Sequence, residues 1–413
     1  EQESGHVILD VISLSGACPL GSPPRQGNDI EDDMTAFLLY ADAVHSPEMR
    51  HEIGEAISDP LTFMEVDGRR IAVTGPFETA ILERREDLVD EVWSTAELGS
   101  KELVRDESVP SHAIEPELVL RAVRRAGADS VTVPPSFPVA VADHLRDNGI
   151  GLEVDALSWG ERRRRKSPGE LEGIERAQHA ADVAMLTAAH LFRASEETPD
   201  GYLRFEGEIL TAELVREAMS TRLLAQGAES EDILVQPGDQ CLKGHELGSG
   251  PIRAHESVVI DCFPRDRRSG AHTDMTRTFV SGHPSEDLVR LHQACRKALR
   301  IAYESLRPGS DDAHSRVTDH FEGLGFVTQR SHDGAGPLEQ GFNHSLGHGV
   351  GLEVHEAPLL GTRSDELVAG DVVAVEPGLY FPGIGGVRLE DTVLITEDGI
   401  EYFTDPFPYD LQP

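Results

Sequence analysis

Four carboxylates in this chain stand where an apolar strand ought to carry none. The run Val258-Val-Ile260 ends in Asp261, and Val372-Val-Ala-Val375 ends in Glu376, where Pro377 stops it. Thr273 to Phe279 alternates, so Asp274, Thr276 and Thr278 share one face while Met275 and Phe279 share the other. Gly386 to Asp391 alternates again, setting Arg388 and Glu390 together and Leu389 opposite. A carboxylate in such a place is costly unless it is paired or bound to a cation. A structural salt bridge accounts equally well for any one of them. Four together call for a fold that turns four strand rims toward one cation-binding spot.

A histidine cluster supplies the complement. His344-Ser-Leu-Gly-His348-Gly-Val-Gly-Leu-Glu-Val-His355 holds three imidazoles, and neutral imidazole binds divalent metal or moves protons near neutral pH. Gly347, Gly349 and Gly351 are expected to let backbones approach closely and to take positive φ. The glycines also argue against the continuous helix that an HExxH zinc site needs. Four carboxylates and one imidazole, without thiolate, form a hard, oxygen-rich set. That set exceeds what one catalytic zinc needs and suits two divalent ions bridged by carboxylates. Manganese fits best, with cobalt and zinc as alternatives.

A chain of 413 residues exceeds what one core usually supports, so two domains are expected. Residues 1–33, rich in Gly, Pro and Ser, read as a loose leader. Residues 34–166 alternate strand-like runs (37–40, 62–66, 70–73, 130–133, 152–154) with helical stretches near 47–57, 115–126 and 136–148, an α/β pattern with a covered sheet. The basic run Arg162 to Lys166 reads as a solvated segment between domains. Ser167-Pro168 then starts a long helix over 169–194, with Leu171, Ile174, Ala177, Ala181 and Leu186 as its apolar stripe. A second helix is expected over 208–226. Residues 167–413 continue with strands at 231–236, 257–263, 273–280, 372–376 and 386–396 and helices near 285–306 and 311–324, the pattern of an antiparallel sheet backed by helices.

The formal net charge of −37 excludes nucleic acid and anionic membrane surfaces as natural partners. Arginine supplies 33 of the 37 positive charges. This suits either a very salty cytoplasm or a codon bias toward arginine. No apolar run is long enough to span a membrane as a helix. Cys18, Cys241, Cys262 and Cys295 are scattered, with no CxxC pair, and read as reduced, packed thiols. The acidic start lacks a signal-peptide pattern, so a cytoplasmic protein is expected.

The order Asp261, Asp274-Met-Thr-Arg-Thr-Phe, Gly-His348-Gly-Val-Gly-Leu-Glu-Val-His355-Glu, Val-Glu376-Pro-Gly-Leu-Tyr380 and Arg388-Leu-Glu390-Asp391 resembles the pita-bread metallopeptidases over about residues 167–400. That family includes methionine aminopeptidase, aminopeptidase P, prolidase and creatinase. The extra N-terminal α/β domain, of the creatinase/prolidase type, points to the aminopeptidase P and prolidase branch. The resemblance implies an α+β pita-bread catalytic domain with a mostly antiparallel curved sheet, a peptide substrate and a homodimer. It implies that Asp274 and Glu390 bridge two divalent ions, that Asp261 completes one shell, and that His348 with Glu376 completes the other. A water acidified by both ions would attack the scissile carbonyl, with Glu376 taking its proton and His355 steadying the oxyanion. His245 matches the family's upstream substrate-side histidine, on a poorly matching flank. Arg388 would orient Glu390 or contact substrate, and His344 and Tyr380 would line the pocket beyond the cleaved bond.

The segment from Cys262 to Thr273 is longer and more charged than in most members. A bulge or a longer hairpin is expected there, keeping Asp261 and Asp274 convergent. The implied activity is hydrolysis of the bond between an N-terminal residue and proline. A creatinase-like C–N hydrolase and a non-catalytic binding protein are the alternatives, although neither requires all five ligands.

Overall fold

Alternating apolar residues in the first part of the chain build a six-stranded sheet. The computed structural model describes residues 36–413 apart from Glu86, so the expected leader and Cys18 lie outside the described residues. Strand order is Glu91–Ser94, Arg69–Thr74, Leu61–Val66, Ala36–Ala41, Ser130–Val133, Gly151–Val154. The central pairs are antiparallel and the outer ones parallel. Asp67 and Gly68, both at positive φ, form the two-residue turn between Leu61–Val66 and Arg69–Thr74. Neighbours in a strand point to opposite faces. Leu38 therefore packs with Leu118 and Val123 of the helix Ser111–Ala126, while Leu39 packs with Met49, Ile53 and Trp159 on the other face.

The long helix Pro168–Ala194 begins with a capping box. Ser167 Oγ accepts from the Glu170 amide at 3.2 Å, and Glu170 Oε2 accepts from the Ser167 amide at 2.6 Å. Ile174, Ala177 and Ala181 are buried as expected, but Leu186 is 56% exposed. At about 100° per residue, position 186 has rotated off the stripe and Met185 fills the place.

The rest of the chain folds into antiparallel sheets. One holds Ile233–Pro237, Val258–Cys262 and Met275–Phe279; another runs Glu356–Leu360, Gly347–Gly349, Val372–Val375, Asp391–Thr396, Gly399–Tyr402. The helices Pro168–Ala194 and Ala212–Ala225 share a core with the first sheet. The helices Glu286–Tyr303 and Ala313–Gly323 share a core with the second. The single strand expected over 386–396 is two strands, because Gly385–Arg388 pairs with Gly378–Phe381 while Asp391–Thr396 pairs with Val372–Val375. The break at Leu389-Glu390 lets the Glu390 amide donate to Thr276 O at 3.1 Å. The segment after Asp261 is the longer hairpin: Asp261 stays opposite Thr276 while Arg265–Asp266 pairs outward with Ala228–Glu229.

The basic run corrects the sequence reading. Arg163 and Arg164 are buried, and of residues 162–166 only Arg165 is exposed. Arg162 meets Glu52 at 2.6 Å and Glu65 at 2.7 Å, and Arg164 grips Asp371 through two bonds of 2.7 and 2.8 Å. A charged run stays solvated only when no opposite charge lies within reach, and this chain carries twice as many acids as bases. No helix among the described residues is long and apolar enough to cross a membrane.

Candidate metal centre

The strand rims bring the acids together. Asp274, His348 and Glu390 are buried, and each offers a ligand atom within 4.8 Å of the others. His348 Nε2 lies 3.8 Å from Asp274 Oδ2 and 3.9 Å from Glu376 Oε1. Asp261 adjoins Asp274, and one oxygen of each, Oδ1, is buried with no hydrogen-bond partner. Burial, then the charges of Glu390, Asp261 and Glu376, holds the Asp274 carboxyl far above the usual carboxylate range. Burial and the charges of Glu376 and Asp261 do the same to Glu390. Burial pushes Glu376 up to about 7, against the pull of Arg388. Such a set cannot stay ionised without a compensating cation. Orphaned oxygens on hard donors are what divalent ions would satisfy, so these residues fit the metals.

His348 is prepared as a ligand. Its Nδ1 lies 3.1 Å from the Gly349 carbonyl, which leaves Nε2 facing the acids. Burial, with the neighbouring His355, depresses its pKa to about 4, keeping the ring neutral. Gly347 and Gly349 matter for closeness: a Cβ on Gly347 would fall 1.9 Å from Ala374 O, and one on Gly349 would fall 2.2 Å from Ala357 O. Neither they nor Gly351 adopts the expected positive φ, since extended backbone needs none and only the missing Cβ is required.

Arg388 is buried and donates from Nη2 to Asp261 Oδ2 at 2.5 Å and from Nη1 to the Tyr380 hydroxyl at 3.2 Å. It reaches Glu390 only through Thr276, whose Oγ1 accepts from Arg388 Nε at 3.1 Å and donates to Glu390 Oε2 at 2.6 Å. Behind Glu390, the fully buried Arg277 donates to Asp391 Oδ1 at 2.7 Å and to the carbonyls of Glu390, Phe407 and Pro408. Tyr303 and Tyr409 donate their hydroxyls to Asp391 Oδ2.

A cavity of about 580 Å³ opens onto this centre, and every candidate residue lines it: Asp261, Asp274, His348, Glu376, Glu390, His355, His245, His344, Tyr380 and Arg388. The His355 ring sits 4.3 Å from that of His348. His344 Nε2 lies 3.2 Å from the Tyr380 hydroxyl, and burial drives this imidazole's pKa to about 3. His245 reaches the cavity from the exposed turn after Gly238–Lys243. Sequence reasoning missed Thr276 as a link, although the alternation had placed it beside Asp274. It also missed Asp232, Phe263 and Asn343 at the cavity wall, which carry no local signal.

The model of metallopeptidase family M24 matches residues 172–397. An Xaa-Pro dipeptidase of Pyrococcus horikoshii is 31% identical over 287 residues, covering 67% of this chain and 74% of the relative. An Xaa-Pro dipeptidase of Pyrococcus furiosus is 32% identical over 246 residues, 58% of this chain and 62% of the relative. Among solved structures, the Xaa-Pro dipeptidase from Bacillus anthracis superposes with a TM-score of 0.71 at 22% identity, covering 92% of this chain and 94% of that one. The X-Pro aminopeptidase from Thermotoga maritima gives a TM-score of 0.70 at 20% identity, covering 91% and 97%. The chain belongs to metallopeptidase family M24 and is a hydrolase with a mixed α/β fold of the prolidase kind. Within that family it stands with the aminopeptidase P and prolidase branch.

Proposed function

We propose that this enzyme hydrolyses the peptide bond between an N-terminal residue and a following proline, using two divalent ions, manganese first among them. One observation carries the reading: five ligand side chains, two with orphaned buried oxygens, share one cavity with His355, His245, His344 and Tyr380. The proline comes from the Pyrococcus relatives, which are Xaa-Pro dipeptidases. Bound at Asp261, Asp274, His348, Glu376 and Glu390, the ions would supply Lewis acidity and an acidified water. Glu376, at the wall of the same cavity, would accept the proton of the attacking water and deliver it to the leaving nitrogen. As the water oxygen bonds to the carbonyl carbon, His355 donates to the developing oxyanion, and the C–N bond then breaks. Arg388 holds Asp261 and Tyr380 in place for this. Residues 34–166 and 167–413 are read as two domains, a division supported by apolar clusters that draw on one part or the other.

Proline leaves a tertiary amide without N–H, which selects a pocket for a ring over a hydrogen bond to the chain. The test is a panel of Xaa-Pro and Xaa-Ala dipeptides and tripeptides with manganese supplied. Faster cleavage of the proline series is expected. Equal or faster cleavage of the alanine series would leave a broad aminopeptidase, and no turnover of any peptide would leave the creatinase-like or binding alternatives.

A further inference from the structure

The loop that carries His355 is fastened from outside its own sheet. Residues 350–355 connect the strand Gly347–Gly349, which bears His348, to the strand Glu356–Leu360. Two acids flank His355, and both turn toward the basic run. Arg163 Nη2 donates to Glu353 Oε2 at 2.6 Å and to Glu356 Oε2 at 2.5 Å, while Nη1 reaches Glu48 at 3.3 Å. Lys166 Nζ pairs with the other oxygen of Glu356. The Lys166 and Glu356 side chains are 1% and 6% exposed, so the Arg163–Glu356–Lys166 part is a buried ion-pair cluster, with Glu353 at its half-exposed edge. The Glu356 carboxylate folds back beneath the loop, where a Cβ on Gly351 would meet it at 2.5 Å. Backbone bonds hold its start, from the Val350 amide to Val372 O at 2.9 Å and from the His272 amide to Gly351 O at 2.7 Å, while beside its later residues lies a cavity of about 270 Å³, walled by Trp159, Ser136, Arg163, Glu353 and Glu356. With space beside it, the loop would relax once the ion pairs were cut.

We infer that Arg163 and Lys166 are positioning residues for His355, so that the first part of the chain sets where the imidazole stands over the metal centre. This rests on the role given to His355 under the proposed function. Neither residue touches the cavity that holds the ligands. They act only through Glu353 and Glu356.

The test is a double-mutant cycle on the metal-loaded full chain. Arg163→Met is made in the native background and in His355→Ala, with kcat, KM and bound metal measured in each. The expected result is a loss of about tenfold or more in kcat, the scale of a displaced catalytic group, with metal content unchanged. In the His355→Ala background the same substitution should change kcat less than about twofold. Arg163→Lys, which keeps charge but not the fork, should fall between. Equal fold-losses in the two backgrounds would overturn the positioning role. Native kcat in Arg163→Met would do the same. If His355→Ala alone keeps native turnover, the functional reading fails first, and the inference with it. Should Arg163→Met fold poorly, Glu353→Gln, at a half-exposed site, and Lys166→Met complete the cycle. Hydrogen exchange gives an independent readout: faster exchange confined to residues 350–356 is expected, and a rise spread equally over 258–279 would refute the inference.

Discussion

Gly347→Ala puts the close-approach argument at risk. The new Cβ would lie 1.9 Å from Ala374 O, where real Cβ contacts essentially never fall under 3.0 Å, so the strand Val372–Val375 must retreat by about 1.1 Å. Next to that point the Glu376 amide bonds Leu346 O across the same gap at 2.8 Å, and it does not survive such an opening, whereas the Leu346 amide bond to Leu360 O lies on the other edge and stays. One lost bond at about 1 kcal/mol, with about 1–3 kcal/mol of overpacking, gives about 2–4 kcal/mol. Spread over an unfolding entropy of roughly 2 cal/mol/K per residue, that lowers Tm by roughly 2–5 °C. His348 and Glu376 sit on the two strands being separated, and a shift on the order of 1 Å exceeds what metal–ligand bonds tolerate. Calorimetry and elemental analysis on the same sample therefore test both consequences. Gly169→Ala is the control, since nothing lies within 4 Å of its Cβ and it sits in a helix. It should be neutral or stabilising by up to about 1 kcal/mol. Native Tm and full metal content in Gly347→Ala would refute the reasoning.

Asp274→Ala should lose bound metal and turnover together, and two ions retained per chain would remove Asp274 from the centre. His355→Ala should keep its metal and lose roughly a hundredfold in turnover; near-native turnover would make His355 structural only. Glu376 rises from 4.5 toward about 7 in the metal-free fold, so its contribution to stability is fully present below pH 4.5 and is lost as pH rises through 7. The gap in Tm between metal-loaded and chelated protein should accordingly widen between pH 4.5 and 7, and a constant gap would contradict that reading. Molar potassium chloride should raise Tm by screening a net charge of −37, with a Debye length of about 3 Å at 1 M. An unchanged Tm would favour arginine codon bias over salt adaptation.

What the sequence disclosed divides by range. Acids at strand ends and the Ser167-Pro168 helix start are local patterns, and each reappears in the fold. Arg163 and Glu356 are 193 positions apart, and no periodicity links them, so the basic run reads as solvated until the fold supplies its acids. Leu389-Glu390 fails differently. An unbroken alternation cannot show that its two halves pair with different partners, yet that change of partner turns Glu390 toward Thr276.

Arg277 bears on the order of events during synthesis. Its guanidinium is sealed behind Glu390 and takes two acceptors from the carbonyls of Phe407 and Pro408, with Tyr409 stacked over it at 4.5 Å. The five candidate ligands leave the ribosome before these residues do, and until they arrive the guanidinium has Asp391 and the Glu390 carbonyl but lacks two of its acceptors. A buried charge stripped of its acceptors is strongly destabilising. A chain truncated before Phe407 would carry every candidate ligand and yet lack part of the wall behind Glu390, so it is expected to bind metal less tightly than the full chain, and equal metal content in the two would refute this.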